Sequence, residues 1–277
     1  MTQQRIDPVA WLAAPAAAYF LVVLGLPLAL LLAASFRTGD GIGLAHYARI
    51  LGDPFERGVI LATLRYAALV TLACAVFGYV YAYAMARASA AVQALLLVAI
   101  VLPMTVSVIV KTFGWTILLR SNGPVNSALL AIGAIDEPLR LLFTETGLVF
   151  GTASILLPYM VLPVFAVLRQ IPPEQHDAAA TLGAAPVEAF IRVVLPLTLP
   201  GVIAGVAIVF SMTVSAYVIP SLLTGAGYKT LSKAIANAFL VIYNPGLGAA
   251  AGVILLAIAM AIVMAAGAAA ARLGRTA

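Results

Sequence analysis

Six apolar runs, near residues 11–34, 59–84, 92–119, 147–168, 198–220 and 248–271, constrain this chain more than any other feature. As a helix, roughly twenty apolar residues cross a hydrocarbon core of about 30 Å. That medium offers no water to the backbone, so a spanning segment must pair its own N–H and C=O groups, and a helix does so. The expected product is an all-α, polytopic membrane protein, with a single transmembrane domain over 1–277 and about six spans. Charge agrees with this reading: Asp, Glu, Lys and Arg make up 9% of the chain, against about 25% in soluble domains. The first run, "WLAAPAAAYFLVVLGLPLALLLAA", is read as a span and not as a secretory signal. Its apolar core exceeds the roughly 7–15 residues of a signal h-region, and Arg5 is balanced by Asp7.

Pro103 and Pro158 fall inside the third and fourth runs, where the missing N–H predicts kinks in otherwise continuous helices. Three segments between runs, "SFRTGDGIGLAHYARILGDPFERG", "RSNGPVNSALLAIGAIDEPLRLLFTETG" and "SLLTGAGYKTLSKAIANAFLVIYNPGL", carry Gly, Pro and Asx turn chemistry and read as long loops. They alternate with the remaining connections and so share one side of the membrane. The other side holds both termini, the turn "RASAA" and the stretch 169–197. Lys and Arg do not decide which side is cytoplasmic. Seven bases sit on the long-loop side (Arg37, Arg49, Arg57, Arg120, Arg140, Lys229, Lys233) and six on the other (Arg5, Arg87, Arg169, Arg192, Arg272, Arg275).

The net charge of +5 is scattered and contains no basic run, so no nucleic-acid partner is expected. Cys74 alone supports neither an intrachain disulfide nor a metal site. His46 and His176, the two histidines, fall on opposite sides, which excludes a histidine metal cluster and a His-based triad. No catalytic residue and no metal site is expected. Arg65 and Lys111 are the two charges that intrude on the runs, both near run ends where long side chains snorkel. Tyr79 and Tyr83 share a helical face, suited either to cupping a cation or to the interfacial belt, and the belt is the reading adopted.

The stretch "PPEQHDAAATLGAAPVEAFIRVVLPLTLPGV", Pro172 to Val202, stands apart. From Pro173 to Leu182 it holds helix formers led by Glu174 and Asp177, acids suited to a helix N-terminus. Gly183 can take left-handed angles and end that helix, and Pro186 fits the first turn of a second. In the second helix Val187, Phe190, Ile191 and Val194 recur at i, i+3, i+4 and i+7, predicting one apolar face, with Glu188 and Arg192 paired at i, i+4.

This stretch resembles the "EAA" coupling loop of permease subunits in binding-protein-dependent ABC importers. That pattern runs Glu-Ala-Ala, three residues, Gly, nine residues, Ile-x-Leu-Pro. Asp177-Ala178-Ala179, Gly183 and Val193-x-Leu195-Pro196 keep every spacing, with Asp177 for Glu and Val193 for Ile. Ala185 stands where Ser is frequent and removes an N-cap oxygen. The likeness extends toward the spermidine/putrescine type through "LLAASF", "HYARIL", "YAYAMAR", "KTFGWTILLRSNGPVNSALL", "IDEPLRLLFT" and "YVIPSLLTG". Permeases for opines, aminophosphonates, iron(III) and sulfate-like anions share the subgroup.

The resemblance implies a type I ABC importer (MetI-like) fold in a bacterial cytoplasmic membrane, with both termini and the coupling loop on the cytoplasmic side. It implies Glu174, Asp177, Ala178, Ala179, Gly183, Pro186, Leu195 and Pro196 as the residues that engage an ATPase. The implied partners are two ATPase subunits, a second and different permease, a periplasmic or lipid-anchored solute-binding protein, and membrane lipid. ATP and Mg would be held by the ATPase, since this chain carries no G-x-x-x-x-G-K-[ST] loop and no cofactor of its own. The implied solute is a polyamine, although no Asp or Glu lies inside a predicted span; an opine, aminophosphonate, iron(III) or other small anion is the alternative. A secondary transporter or channel is the reading from another class, and it would more often place charges inside its spans. Candidate pathway residues are Trp115, Tyr159, Ser211, Ser215 and Tyr217. For Ser211 and Ser215, with Thr213 between them, helix packing and bonding to the preceding turn compete with solute binding.

Overall fold

The computed structural model describes residues 8–39, 41–171, 185–225 and 230–273. Among the described residues five helices are long and apolar enough to cross a membrane, and a bent pair of helices brings the number to six if the pair is one span. By their internal contacts the residues fall into two compact units, Met1–Arg57 with Ala234–Ile254, and Gly58–Lys233 with Leu255–Ala277.

In the first unit, α1 (Pro8–Ser35) is a continuous helix despite Pro15 and Pro27. Its apolar side chains point outward, Tyr19 and Leu21 among them, as suits a helix whose solvent is hydrocarbon. The segment expected as a loop after it is built. Strands β1 (Arg37–Thr38) and β2 (Gly41–Ile42) pair antiparallel, and α2 (Ala45–Gly52) follows. Ser35 Oγ donates to Leu32 O and accepts from Tyr47 Oη, while the Phe36 and Tyr47 rings meet at 5.5 Å. His46 Nε2 lies 3.0 Å from Arg37 O. Gly246 packs so closely on this pair that an added Cβ would lie 2.5 Å from His46 Nε2.

The core of the second unit is formed by α3 (Pro54–Arg87), α7 (Glu145–Leu168) and α9 (Leu195–Ser215). Tyr66, Val70, Cys74, Ala82 and Met85 on α3 pack with Leu148, Leu156, Met160, Val161 and Val164 on α7 and Val209 on α9. Small residues set the approach. Gly78 leaves room for Met160, Gly205 for the other side of Met160, and Gly201 for the Pro163 carbonyl. Helices without a hydrophobic drive toward one another in lipid gain most from such close backbone packing. Polar ties reinforce it. Tyr66 Oη and Thr152 Oγ1 are 2.7 Å apart, and the Cys74 thiol donates to Ala153 O at 3.4 Å.

Two expected spans are not continuous. The run 92–119 is divided into α4 (Ala90–Val101), a 3-10 turn (Leu102–Thr105) and α5 (Val108–Leu118), with a 102° bend between the two arms. Pro103 sits in that turn, followed by the β-branched Thr105 and Val106, whose side chains fit a helix poorly. Val106 and Ser107 are extended, so a break stands where a kink was expected. At Pro158, by contrast, α7 runs on as one helix.

The run 198–220 also breaks. Helix α9 ends at Ser215, Ala216 is extended, and α10 (Val218–Leu223) restarts the chain. Pro220 explains the interruption: it has no N–H to donate to the carbonyl four residues back, that of Ala216. Ser232 Oγ donates to Ala216 O at 2.6 Å instead.

The two remaining long connections also contain helices, α6 (Pro124–Ala131) and α11 (Leu231–Leu240), before the last spanning helix α12 (Pro245–Leu273). Asn126, fully buried, fixes the first connection. Its Nδ2 donates to Arg120 O and Leu139 O, and its Oδ1 accepts from Leu139 N–H.

Candidate transport pathway and coupling site

At one end of the second unit, the N-terminal half of α3 meets the start of α7 and the start of α11. Leu231 N–H donates to Thr63 Oγ1 at 2.8 Å, and Arg65 pairs with Glu145 at 2.9 Å. One of the two intruding bases therefore has an acid beside it. Glu145, just outside the predicted fourth span, is drawn into the first turn of α7, where an acid also suits the helix dipole. Lys111, the other intruder, is half-buried on α5.

The two broken spans converge at this end. Gly151 of α7 leaves space for Trp115 of α5 and Leu223 of α10: an added Cβ would lie 3.5 Å from Trp115 Cγ and 2.7 Å from Leu223 Cδ1. The loop joins in, with Phe143 N–H donating to Leu223 O and Leu142 N–H to Leu119 O. Lys233 Nζ closes the C-terminus of α10, donating to Gly225 O at 2.7 Å and Thr224 Oγ1 at 3.1 Å.

Of the candidate pathway residues, Trp115 and Tyr159 are half-buried against the core. Tyr159 is two helical turns beyond Gly151 on α7, about 12 Å at 1.5 Å per residue. Ser215 lies on the outward side of α9 with Ala204 and Ile208, Ser211 is half-buried, and Tyr217 stands 45% exposed in the break that follows. Ser215 Oγ bonds back to Ser211 O at 2.9 Å. Ser211 Oγ is sealed from solvent without a hydrogen-bond partner among the described residues, as is Thr71 Oγ1 on α3. Such atoms are uncommon in native proteins, because an unmade buried hydrogen bond costs about 1–3 kcal/mol.

The opposite end carries the coupling stretch. Glu174, Asp177, Ala178, Ala179 and Gly183 lie outside the described residues. The structure resumes at Ala185, and α8 (Pro186–Ala189) opens on Pro186. A π-turn, Phe190–Val194, joins it to α9, which has Leu195 and Pro196 in its first turn. The Glu188–Arg192 pair forms at 3.1 Å. The expected single apolar face does not. Val194 is buried and Phe190 half-buried, whereas Val187 and Ile191 are 69% and 53% exposed. The wider π-turn holds more residues per turn than an α-helix and rotates the earlier side chains off the face that the α-period predicts.

The two tyrosines read as belt residues pack inward here. Tyr79 and Tyr83 stack with ring centroids 6.5 Å apart, and the Phe190 ring stands edge-on to both, at 5.8 and 5.1 Å. Tyr79 Oη lies 2.9 Å from Thr198 Oγ1, and Arg87 Cζ is 5.0 Å from the Tyr83 ring centroid.

Residues 75–273 match the family of binding-protein-dependent transport system inner membrane components. The chain belongs to that family. Inner membrane components of this kind are transport permeases, not enzymes, and the matched region runs from the C-terminal part of α3 through α12 and includes the coupling stretch. Among its relatives is the spermidine/putrescine transport system permease protein PotB of Escherichia coli (strain K12), 33% identical over 237 residues, or 83% of this chain and 86% of that one. The fold is that of a bacterial ABC transporter involved in the import of the acidic polysaccharide alginate, with TM-score 0.73, 18% identity and 95% of each chain covered. A second structure of the alginate transporter, in complex with an alginate pentasaccharide-bound periplasmic protein, superposes with TM-score 0.73 at 19% identity, covering 93% of this chain and 92% of that one. The binding-protein-dependent permease is thus a helical, polytopic ABC importer subunit, as its sequence led us to expect.

Proposed function

We propose that this chain forms half of the membrane pathway of an ATP-driven polyamine importer. The observation that carries the solute assignment is 33% identity to a spermidine/putrescine permease along 83% of the chain. The complete EAA-type spacing from Asp177 to Pro196 supports the coupling assignment. In this reading residues 169–197 dock on one of two ATPase subunits, which hold ATP and Mg. A second, different permease supplies the other half of the pathway, and a solute-binding protein delivers the polyamine on the far side. Trp115, Tyr159, Ser211, Ser215 and Tyr217 line the route.

One observation favours a second solute class. Glu145, the acid in the first turn of α7, has Arg65 against it, and Lys111 adds a base. A polycation gains from carboxylates and aromatic faces along its path, whereas an opine or aminophosphonate would tolerate this balance. Titration of the purified binding protein separates the two. Putrescine and spermidine should bind, and 2-aminoethylphosphonate should not; the opposite result moves the assignment to the anionic class.

Orientation has its own test. In a background with Cys74 replaced, a cysteine at Ala180 should be labelled from the cytoplasmic side only and one at Ala226 from outside only. Reversed labelling would place the coupling stretch away from the ATPase and end the coupling reading.

A further inference from the structure

We propose that Phe190, clasped between Tyr79 and Tyr83, is the positioning residue that passes movement of the coupling segment to α3, with the π-turn behind it as the hinge. This rests on the coupling reading given above. The geometry begins with Pro196. In an α-helix its ring would collide with the carbonyl four residues back, that of Arg192. The chain widens there instead, and Leu195 N–H bonds Phe190 O, five residues back. A π-turn is a point at which helical register can change, and such turns concentrate at functional sites.

Helix α3 holds both flanks of that hinge. At the hinge's first residue, Phe190 presents its edge to Tyr79 and Tyr83 at interplanar angles of 80° and 76°, the arrangement that aromatic quadrupoles favour. After it, Thr198 Oγ1 donates to Leu195 O and accepts from the Tyr79 hydroxyl. Rotation of α8 about the π-turn therefore shifts Phe190 against a fixed Thr198, and α3 receives the difference between Tyr83 and Tyr79, one helical turn apart. The far side of α3 does not yield. Ala82 and Met85 are fully buried, and Gly78 sits against Met160 of α7 so closely that an added Cβ would lie 2.8 Å from its Cγ. A displacement entering at Phe190 moves α3 as a body, because close-packed interiors transmit strain.

Phe190→Ala, Phe190→Leu and Phe190→Tyr, made in the complete complex and reconstituted with its ATPase and binding protein, test the clasp. ATP hydrolysis and solute uptake are measured in the same vesicles. Loss of the ring edge should raise the ATP consumed per solute by about tenfold in the Ala and Leu variants, while Tyr stays within about twofold of the parent. The Leu variant keeps the apolar volume and should assemble at normal yield, which separates coupling from folding. Tyr83→Leu should reproduce the effect from the α3 side. An unchanged ratio in Phe190→Leu would overturn the proposal, as would failure of Phe190→Leu to assemble together with an unchanged ratio in Tyr83→Leu. Asp177→Lys, run in parallel, distinguishes the two levels. If it uncouples and Phe190→Leu does not, the clasp is wrong and the coupling reading stands; if neither uncouples, the coupling reading itself fails.

Discussion

Gly201→Leu should abolish recovery of an intact complex from detergent-solubilised membranes. A Cβ at this position would lie 2.8 Å from Pro163 O, 3.1 Å from Val164 Cα and 3.0 Å from Val167 Cγ2. Two of those three neighbours are backbone atoms of α7, which cannot rotate away, so the helices must separate along a contact that holds much of the core. Overpacking of a core typically costs about 1–3 kcal/mol, and the upper end is expected where backbone opposes backbone. Gly205→Ala provides the contrast. Its nearest neighbour, Met160 Sδ at 2.5 Å, ends a flexible side chain that can swing aside, although Met160 Cα at 3.3 Å limits how far. The expected order is a lost or strongly lowered melting transition for Gly201→Leu and a small decrease for Gly205→Ala. Normal yield and melting of Gly201→Leu would show that α7 and α9 do not pack through this glycine.

Asp177→Lys and Gly183→Val should leave the chain inserted and the complex assembled while reducing ATP-driven uptake at least about tenfold. Under the proposed coupling role the charge reversal would oppose any basic contact on the ATPase, and a β-branched residue would resist the left-handed angles expected at Gly183 from the sequence. ATP turnover by the same preparation is the control, since loss of both activities would report loss of assembly. Normal uptake by either variant would remove that residue from the coupling element.

The spans were legible because about twenty apolar residues in a row admit few alternatives in a chain so poor in charge. Their interruptions were not. Hydropathy registers Pro103 and Val106 as ordinary members of an apolar run and is blind to their poor fit to a helix, so one run became two arms bent by 102°. Pro220 is equally apolar on such a scale, yet its missing N–H strands the Ala216 carbonyl that Ser232 then satisfies. The connecting helices α2, α6 and α11 are short and were hidden by turn residues at their borders. Contacts distant in sequence account for the rest. Arg65 and Glu145 are 80 positions apart, and Tyr79 and Phe190 are 111 apart. No periodicity within one helix announces either partner, although a tyrosine pair on the same face as the buried Ala82 and Met85 pointed to packing more than to a lipid-facing belt.

As proposed above, this permease imports a polyamine by drawing on ATP hydrolysed in separate subunits. Accumulation of radiolabelled spermidine in proteoliposomes containing the whole complex, with binding protein on one side and ATP on the other, tests it most directly. Spermidine should accumulate against its gradient only when both ATP and the binding protein are present, and should still do so when a protonophore collapses the proton gradient. Spermidine accumulation that proceeds without ATP and disappears with the proton gradient would contradict it, and would make this chain a secondary transporter.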